Sequence, residues 1–373
     1  MTKEYLDGAE AVVRGALDAG CNFFAGYPIT PSSAILVRMM RDLPGNGGVA
    51  IQGEDEIASL GMCIAASMAG RRVLTATSGP GISLYSENLG LAVMGEVPLV
   101  IVNVQRLGPA TGGATTGAEG DVQFVQWVTS GGIPMVVLTP ESVATTYWLT
   151  MEAFRISEAL RIPVILNTSK DLIQTMETVD VDNWRKCEVP ERPTARQEAP
   201  FLPYRIEQLH DVPEFLPIGA DVQVRFTTSM HDAAAQLTKD PVEVNRTYRH
   251  LASKITSRLK ELEFYDTDLQ DQADTLIIAS GVSSRSSRAA VEQARGAGGK
   301  LSLLTLYGIW PVPEELLTRI AAPYSRIIVP ELNLGQYARE IERVLHDKNV
   351  VRVNRVDGEL LTAREILSEG GLT

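Results

Sequence analysis

Cysteine and histidine are scarce in this sequence and never clustered. Three cysteines and four histidines are spread over 373 residues, and no Cys-x-x-Cys pair occurs. An odd, scattered set of cysteines excludes a disulfide framework. The same scatter offers no ligand spacing for a zinc ion or an iron–sulfur cluster. We therefore expect this chain to hold no metal and to work in a reducing compartment, the cytoplasm.

A net basic charge and long apolar runs are missing as well. The 34 Lys and Arg residues against 46 Asp and Glu give a net charge of -12. A nucleic-acid partner needs a basic face, so it is excluded as the main partner. No apolar run approaches the roughly 18 residues of a membrane-spanning helix. The N-terminal residues also lack the basic stretch and apolar core of a signal peptide. We expect neither nucleic acid nor a membrane among the partners.

The glycine motifs that hold phosphates in nucleotide enzymes are absent too. There is no Gly-Lys-Ser or Gly-Lys-Thr P-loop, and no GxGxxG follows the first predicted strand. These motifs place backbone N–H groups around a phosphate, and without them an ATP or NAD enzyme loses its usual support. A stand-alone nucleotide-binding α/β enzyme is therefore a disfavoured hypothesis.

What the chain does contain is a regular alternation of apolar strands and helices. The alternation predicts an α/β fold, built as two doubly wound units with mainly parallel sheets. Between about residues 177 and 271 the prolines recur and the apolar runs become short, which predicts a connecting segment ending in an amphipathic helix. We expect three parts, which are residues 1–178, 179–270 and 271–373.

The most informative stretch runs from residue 52 to residue 81. Glu54, Asp55 and Glu56 open a predicted helix, where the helix dipole favours acids. The body of this helix is mostly small residues, which let another backbone come close. A buried strand and the turn Ser-Gly-Pro-Gly, residues 78–81, follow it, and α/β folds bind ligands at such strand ends. The alternative is a set of solvated acids at a helix start.

A second candidate loop follows the most apolar predicted strand, at residues 105–117. It carries one guanidinium, Arg106, and the hydroxyls of Thr111, Thr115 and Thr116 on a glycine-rich backbone. This composition suits an anionic carboxylate or phosphate, and an arginine can hold a carboxylate with two parallel hydrogen bonds. The alternative is a surface loop with a solvated arginine.

Taken together and in order, several motifs resemble the alpha subunit of the 2-oxoacid:ferredoxin oxidoreductases. The resemblance is nearest to the 2-oxoglutarate type, with the pyruvate and branched-chain types behind. It implies a pyrimidine-type thiamine-diphosphate domain followed by a transketolase C-terminal-like domain. The motifs are Tyr27-Pro28-Ile29-Thr30-Pro31, Gly53-Glu54-Asp55-Glu56, Thr77-Ser78-Gly79-Pro80-Gly81, Val104-Gln105-Arg106 and Pro330-Glu331-Leu332-Asn333-Leu334-Gly335-Gln336.

The resemblance also implies an activity and a set of site residues. Enzymes of this family decarboxylate a 2-oxoacid on thiamine diphosphate, pass electrons to ferredoxin and transfer the acyl group to coenzyme A. Glu56 is implied as the catalytic acid that activates the thiamine pyrimidine, with Glu54 as the fallback. Thr30 and Arg106 are implied as substrate-binding residues. The implied cofactor-binding residues are Tyr27, Pro28, Ile29, Gly79, Pro80 and Gly81.

The diphosphate half of a thiamine site is missing from the sequence. The family holds the diphosphate through a metal with a Gly-Asp-Gly motif, whereas residues 120–122 read Gly-Asp-Val. The resemblance therefore implies a beta subunit that brings the diphosphate contacts, Mg²⁺ and an iron–sulfur cluster, in a dimer of heterodimers. The small-residue face of the Glu56 helix would be the interface. The alternatives are a complex acting on pyruvate or on a branched-chain or aromatic 2-oxoacid, and a non-catalytic partner subunit of the same fold.

Overall fold

The computed structural model describes residues 2–372. Its first α/β unit comes before a long connecting segment. The strands of this unit are β1 (Lys3–Asp7), β2 (Phe23–Gly26), β3 (Val49–Gln52), β4 (Val73–Thr77), β5 (Leu99–Gln105), β6 (Val136–Leu138), β7 (Pro163–Ser169) and β8 (Met176–Asp180). Its helices are α1 (Gly8–Asp18), α2 (Ser33–Asp42), α3 (Glu56–Met68), α4 (Pro80–Leu84), α5 (Ser86–Met94), α6 (Val143–Leu160) and α7 (Lys170–Gln174).

The second unit follows a connecting helix, α8 (Pro241–Thr256). Its strands are β9 (Tyr265–Asp268), β10 (Thr275–Ser280), β11 (Ser302–Leu306), β12 (Gly308–Trp310), β13 (Arg326–Glu331) and β14 (Asn349–Asn354). Its helices are α9 (Ser283–Gly296), α10 (Glu314–Ala321), α11 (Ala338–Val344) and α12 (Ala363–Glu369). No helix within residues 2–372 is both long and apolar enough to cross a lipid bilayer.

The first large sheet has seven strands in the order β12–β6–β7–β5–β4–β2–β3. Strands β2 to β7 are parallel to one another within it. Every residue of β4, β5 and β7 is buried, as a parallel sheet with helices on both faces requires. The carboxyl ends of β5, β4, β2 and β3 therefore lie side by side along one edge.

The second sheet has the order β14–β13–β10–β11–β9 and is parallel except for its edge strand β9. Strand β12 leaves this unit and pairs antiparallel with β6 of the first sheet. Residues of both units consequently share one hydrophobic cluster, in which Trp310 is buried. The predicted α/β class with two mainly parallel sheets is confirmed. The division at residues 178 and 270 stays a prediction.

The connection between the units is largely irregular backbone, held by buried arginines. Arg161 donates from Nη1 to the carbonyls of Pro213 and Glu214, at 2.9 and 3.0 Å. Arg192 pairs with the buried carboxylate of Glu158 at 2.5 Å. Backbone carbonyls outside helices and sheets need such donors when they are buried. These contacts fix the connection against the first unit.

Candidate active site

The predicted site residues lie at one edge of the first sheet. Residues 27–30 follow β2, Glu56 opens α3 after β3, residues 79–81 follow β4, and Arg106 follows β5. Because these strands are parallel and adjacent, their carboxyl ends meet at the same edge, where α/β sheets bind ligands. The structure thus brings together residues that lie far apart in the sequence, while their roles stay predictions.

Glu56 is placed by the cap of its own helix. The Asp55 carboxylate accepts the Ala58 N–H at 2.7 Å, so Glu56 is the first residue of α3. Glu56 is 6% exposed, and its carboxyl group has no hydrogen-bond partner among residues 2–372. Its oxygens are not among the fully buried unpartnered atoms of the described residues, so they remain open to the space beside them. Glu54, by contrast, is exposed.

The turn after β4 packs closely against the Glu56 carboxyl group. A Cβ atom at Gly81 would lie 2.1 Å from Thr77 Oγ1 and 2.8 Å from Glu56 Oε1. Both distances are far below contact, so only glycine lets the turn come this close. The hydroxyl groups of Thr77 and Ser78 are buried without a hydrogen-bond partner in the described part of the chain. The turn therefore offers a bare backbone and free hydroxyl groups beside a free carboxyl group.

Arg106 joins two of the site loops. It is 5% exposed, and its Nη1 and Nη2 donate to the carbonyls of Thr30 and Thr111, at 2.5 and 3.1 Å. Its Nε has no partner within residues 2–372. A Cβ atom at Gly79 would lie 3.0 Å from that Nε. Thr30 thus meets Arg106 through its backbone carbonyl, and Nε is buried without an acceptor in the described residues.

The loop of Tyr27, Pro28 and Ile29 lies at the same edge of the sheet. They form the loop after β2, with Tyr27 and Ile29 half-buried and Pro28 exposed. The Ile29 carbonyl accepts the Ser32 hydroxyl at 2.9 Å and so fixes the entry to α2. Pro80 opens α4. Among the described residues, no hydrogen bond joins Tyr27 to Glu56.

Behind Arg106 lies a buried polar network that the sequence interpretation missed. Asn103 Nδ2 donates to Asp121 Oδ2 at 3.0 Å and to Asn167 Oδ1 at 2.9 Å. The Asp121 N–H donates to Gln105 Oε1 at 2.9 Å. Burial raises the pKa of the Asp121 carboxyl group, against the opposing effects of Asn103 and Arg106. A lone asparagine in an otherwise apolar strand was the signal available in the sequence.

A cavity of about 540 Å³ opens between these loops and the second unit. Its walls include the Gly79–Pro80 turn, residues 107–110, Asp121 and residues 332–334. A larger cavity, of about 800 Å³, lies in the connection, away from the site residues. In the described part of the chain, no group of three or more His, Cys, Asp or Glu side chains could hold a metal ion.

The motif at residues 330–336 proves to be a contact between the two units. Gln336 Nε2 donates to the Gly120 carbonyl at 2.6 Å, and Asn333 Nδ2 donates to the Glu119 carbonyl at 2.8 Å. Glu331 accepts the N–H groups of Tyr337 and Ala338 at 2.8 and 2.9 Å, which caps the start of α11. This motif therefore holds the loop after Arg106 in place from the outside.

Two parts of the chain match models of known protein families. Residues 14–246 match the family described as "Pyruvate flavodoxin/ferredoxin oxidoreductase, thiamine diP-bdg". Residues 273–366 match "Pyruvate:ferredoxin oxidoreductase core domain II".

Two curated relatives match over nearly their whole length. The 2-oxoglutarate synthase subunit KorA of Methanocaldococcus jannaschii is 35% identical over 373 residues, which is 98% of each chain. The ketoisovalerate oxidoreductase subunit VorB of Methanothermobacter thermautotrophicus is 33% identical, over 99% of this chain and 97% of its own.

Solved structures agree with this assignment. The 2-oxoglutarate:ferredoxin oxidoreductase from Magnetococcus marinus, solved with 2-oxoglutarate, coenzyme A and succinyl-CoA bound, superposes with a TM-score of 0.92 at 27% identity. The match covers 98% of this chain and 64% of that one. A split-gene transketolase superposes with a TM-score of 0.53 at 14% identity, which shows the fold alone. The chain belongs to the pyruvate flavodoxin/ferredoxin oxidoreductase family and is an alpha-type subunit of a 2-oxoacid:ferredoxin oxidoreductase, as the resemblance of its motifs predicted.

Proposed function

We propose that this chain forms the pyrimidine half of a thiamine-diphosphate site in an enzyme that oxidatively decarboxylates 2-oxoglutarate. The products are the acyl-CoA and CO₂, with electrons passed to ferredoxin. The observation that carries the proposal is the carboxyl group of the buried residue Glu56, which lacks a protein partner and lies against the glycine turn after β4. The reaction takes place in the cytoplasm, which suits the free cysteines Cys21, Cys63 and Cys187.

The residues at this edge fit an aminopyrimidine ring. Such a ring needs an acid opposite its ring nitrogen and backbone that leaves space for it, and Glu56 beside the glycine turn after β4 meets that need. Glu56 Oε1 is the atom that would hold the shared proton, as a general acid does. The free hydroxyl groups of Thr77 and Ser78 are available as further donors or acceptors. Thiamine diphosphate, when bound, supplies the carbanion chemistry of the decarboxylation.

Arg106 binds the carboxylate next to the keto group of the oxoacid. Its Nε is buried and free, while its Nη atoms hold the Thr30 and Thr111 carbonyls. This arrangement fixes the plane of the guanidinium before substrate arrives, which lowers the entropy cost of binding. Thr30 acts with it because its loop is held by the same arginine.

The diphosphate, its Mg²⁺ and an iron–sulfur cluster belong to a partner beta subunit. The residues at this edge do not fit a metal-bound diphosphate, because the Gly-Asp-Gly motif is absent and Asp121 is engaged with Asn103. The exposed face of α3 is the proposed interface. On this face Ile57 is 51% exposed, and a Cβ atom at Gly61 would meet only Asn88 Nδ2, at 3.9 Å. Two such pairs form a dimer of heterodimers.

Reconstitution tests the proposal. The chain is purified alone and with its partner subunit, and the 2-oxoacid-dependent reduction of a viologen dye is measured with coenzyme A present. Activity is expected only from the pair and to be fastest with 2-oxoglutarate. Activity from this chain alone would refute the half-site. An inactive pair in which both subunits are loaded with cofactor would favour the non-catalytic alternative.

A branched-chain 2-oxoacid is the second candidate substrate. The VorB relative, named for ketoisovalerate, matches this chain over the same length as the KorA relative. A second carboxylate on the substrate needs an additional donor, and Thr115 and Thr116 lie in the loop that Arg106 opens. Comparing kcat/KM for 2-oxoglutarate, ketoisovalerate and pyruvate decides between the substrates. A larger value for ketoisovalerate would overturn the choice of 2-oxoglutarate.

A further inference from the structure

Glu119 is tied to the second unit through each of its polar groups. Its N–H donates to the Leu332 carbonyl at 3.1 Å, and its own carbonyl accepts from Asn333 Nδ2 at 2.8 Å. Its side-chain Oε1 accepts the Val282 N–H at 3.0 Å. The residue is 7% exposed. Glu119 itself belongs to the loop after β5, in the first unit.

The second unit presents a slot that fits this carboxyl group. Gly281, the residue between β10 and Val282, has a φ of 57°, a backbone conformation that L side chains rarely adopt. A Cβ atom at Gly281 would lie 2.3 Å from Glu119 Oε1. The carboxyl group therefore packs directly on bare backbone. A larger residue at either position would separate the two units at this contact.

The loop between Arg106 and Glu119 has few other supports. Within it, the Leu107 N–H donates to the Thr116 carbonyl at 2.9 Å, and the Gly113 N–H donates to the Leu107 carbonyl at 2.8 Å. These bonds close the loop on itself, and near its far end Thr116 packs against Gly358 and Gly117 against Asp171. Its first residue is the proposed carboxylate-binding arginine, and its far end is Glu119.

We infer that Glu119 is a positioning residue, which sets the affinity for the oxoacid by fixing the far end of the Arg106 loop to the second unit. The inference rests on the proposed function of Arg106. Glu119 does not touch the substrate. It acts because the bond from its carboxyl group to Val282 stiffens the far end of the loop, in addition to the backbone bonds of Glu119 to Leu332 and Asn333. A looser loop must be ordered again by each substrate molecule.

The charges around Glu119 are consistent with an anchor that is uncharged at neutral pH. Burial raises the pKa of its carboxyl group to about 8, and the nearby carboxylates of Asp171 and Glu331 add to the shift. Lys170 pairs with Asp171 at 3.2 Å, and Arg352 faces Glu331. A glutamine would keep both the shape and the acceptor oxygen, so Glu119→Gln is the conservative variant.

The matched control is a second buried carboxylate between the same two units. Glu141, also 7% exposed, accepts the Tyr307 hydroxyl at 3.0 Å and Arg288 Nη2 at 2.8 Å. It lies after β6, outside the loop that Arg106 opens. Glu141→Ala removes an interdomain contact of comparable burial but leaves the loop anchored. It separates loop positioning from general loosening of the two units.

The experiment measures KM and kcat for the oxoacid in the assembled complex, and amide hydrogen exchange of residues 106–118. Glu119→Ala should raise KM about tenfold, the equivalent of one lost buried hydrogen bond, with kcat changed less than about threefold. Exchange in the loop should become faster. Glu119→Gln should restore the wild-type KM and exchange. Glu119→Asp, which is too short to reach Val282, gives the same test with a smaller change in volume and should resemble the alanine variant.

Two results would overturn the inference. One is a wild-type KM in folded Glu119→Ala or Glu119→Asp complexes. The other is an equal rise of KM in Glu141→Ala, which would point to general loosening. Failure of the proposed function would give a different result. A wild-type complex without oxoacid activity would refute the proposed function, while hydrogen exchange would still report whether changing Glu119 loosens the loop.

Discussion

Two turns in this molecule have the same local construction and different surroundings. Strands β4 and β10 are both buried parallel strands, and the residues that follow them include Gly79 and Gly281, with φ values of 50° and 57°. The space beside Gly79 is bounded by the free Nε of Arg106, a donor without an acceptor. The space beside Gly281 is filled by the Glu119 carboxyl group.

The two turns differ in which charged groups the chain places beside them. A strand end with a bare backbone attracts an acid in either unit. In the second unit the chain supplies that acid itself, and the turn becomes an interdomain contact. In the first unit Arg106 and Glu56 lie against the turn, and neither Arg106 Nε nor the Glu56 carboxyl group has a hydrogen-bond partner in the described residues. The sites therefore differ in which groups the protein has left unpaired.

The largest effect is expected at the unpaired acid of the first unit. Glu56→Gln keeps the shape of the side chain but cannot hand on a proton, so kcat should fall by a factor on the order of 10² to 10⁴. Assembly with the partner subunit should be unchanged, because the side chain is buried beneath the turn. Steady-state rates and size-exclusion chromatography measure the two outcomes.

Glu54→Gln is the control for this prediction. Glu54 is exposed and two residues upstream of Glu56, so its loss should change kcat little. If Glu56→Gln kept wild-type turnover while Glu54→Gln lost it, the role of the acid would move to Glu54.

The cation of the first turn gives the next largest effect. Arg106→Ala removes a charge-assisted bond to the substrate carboxylate, which is worth about 1.5–3 kcal/mol. KM for the oxoacid should therefore rise by about 10- to 100-fold, with a smaller change in kcat. Arg106→Lys should recover only part of the affinity, because an ammonium group cannot hold the Thr30 and Thr111 carbonyls and a carboxylate in one plane. An unchanged KM in Arg106→Ala would remove the carboxylate-binding role.

Adding a methyl group to each turn tests the comparison directly. Alanine is strained at both positive φ values, by about 1–2 kcal/mol, so both substitutions should lower the urea midpoint. Gly281→Ala should lower it further, because its Cβ would also lie 2.3 Å from Glu119 Oε1. Only Gly79→Ala places its Cβ beside Arg106, 3.0 Å from its Nε, at the proposed oxoacid site. It should therefore reduce kcat/KM about tenfold more than Gly281→Ala does. Equal losses of kcat/KM would mean that the two turns do not differ in function.

Many of the regular elements were predictable because they have a local signature. The buried strand expected between the Glu56 helix and the turn at residues 78–81 is confirmed as β4, since its apolar run is visible in the sequence itself. Strands β9 and β12 have no such signature. The polar sequence of β9 has no apolar pattern, and the three residues of β12 gain their partner, β6, from the other unit.

The site was predictable to the same extent and for the same reason. Strand ends could be located from the apolar runs, so Glu56, Gly79 and Arg106 could be expected at one edge. The contacts of Asp121 and Glu119 could not, because they depend on how a glycine-rich loop folds back and where the second unit docks. Neither the loop nor the docking leaves a periodic trace in the sequence.

The smallest effect concerns the acid of the second turn and depends on pH. An unfolded chain releases the Glu119 proton near its ordinary pKa of 4.5, whereas burial holds the pKa at about 8 in the folded state. Between these values the folded state binds more protons, so stability falls as pH rises, by at most about 1.4 kcal/mol per pH unit, and this contribution is constant above about pH 8. Glu119→Gln lacks the titration, so its urea midpoint relative to that of the wild type should rise from pH 5.5 to pH 8. A midpoint difference that is the same at both pH values would show that Glu119 is ionised in the folded protein, and the turn after β10 would then hold a charged acid, as the turn after β4 is expected to do.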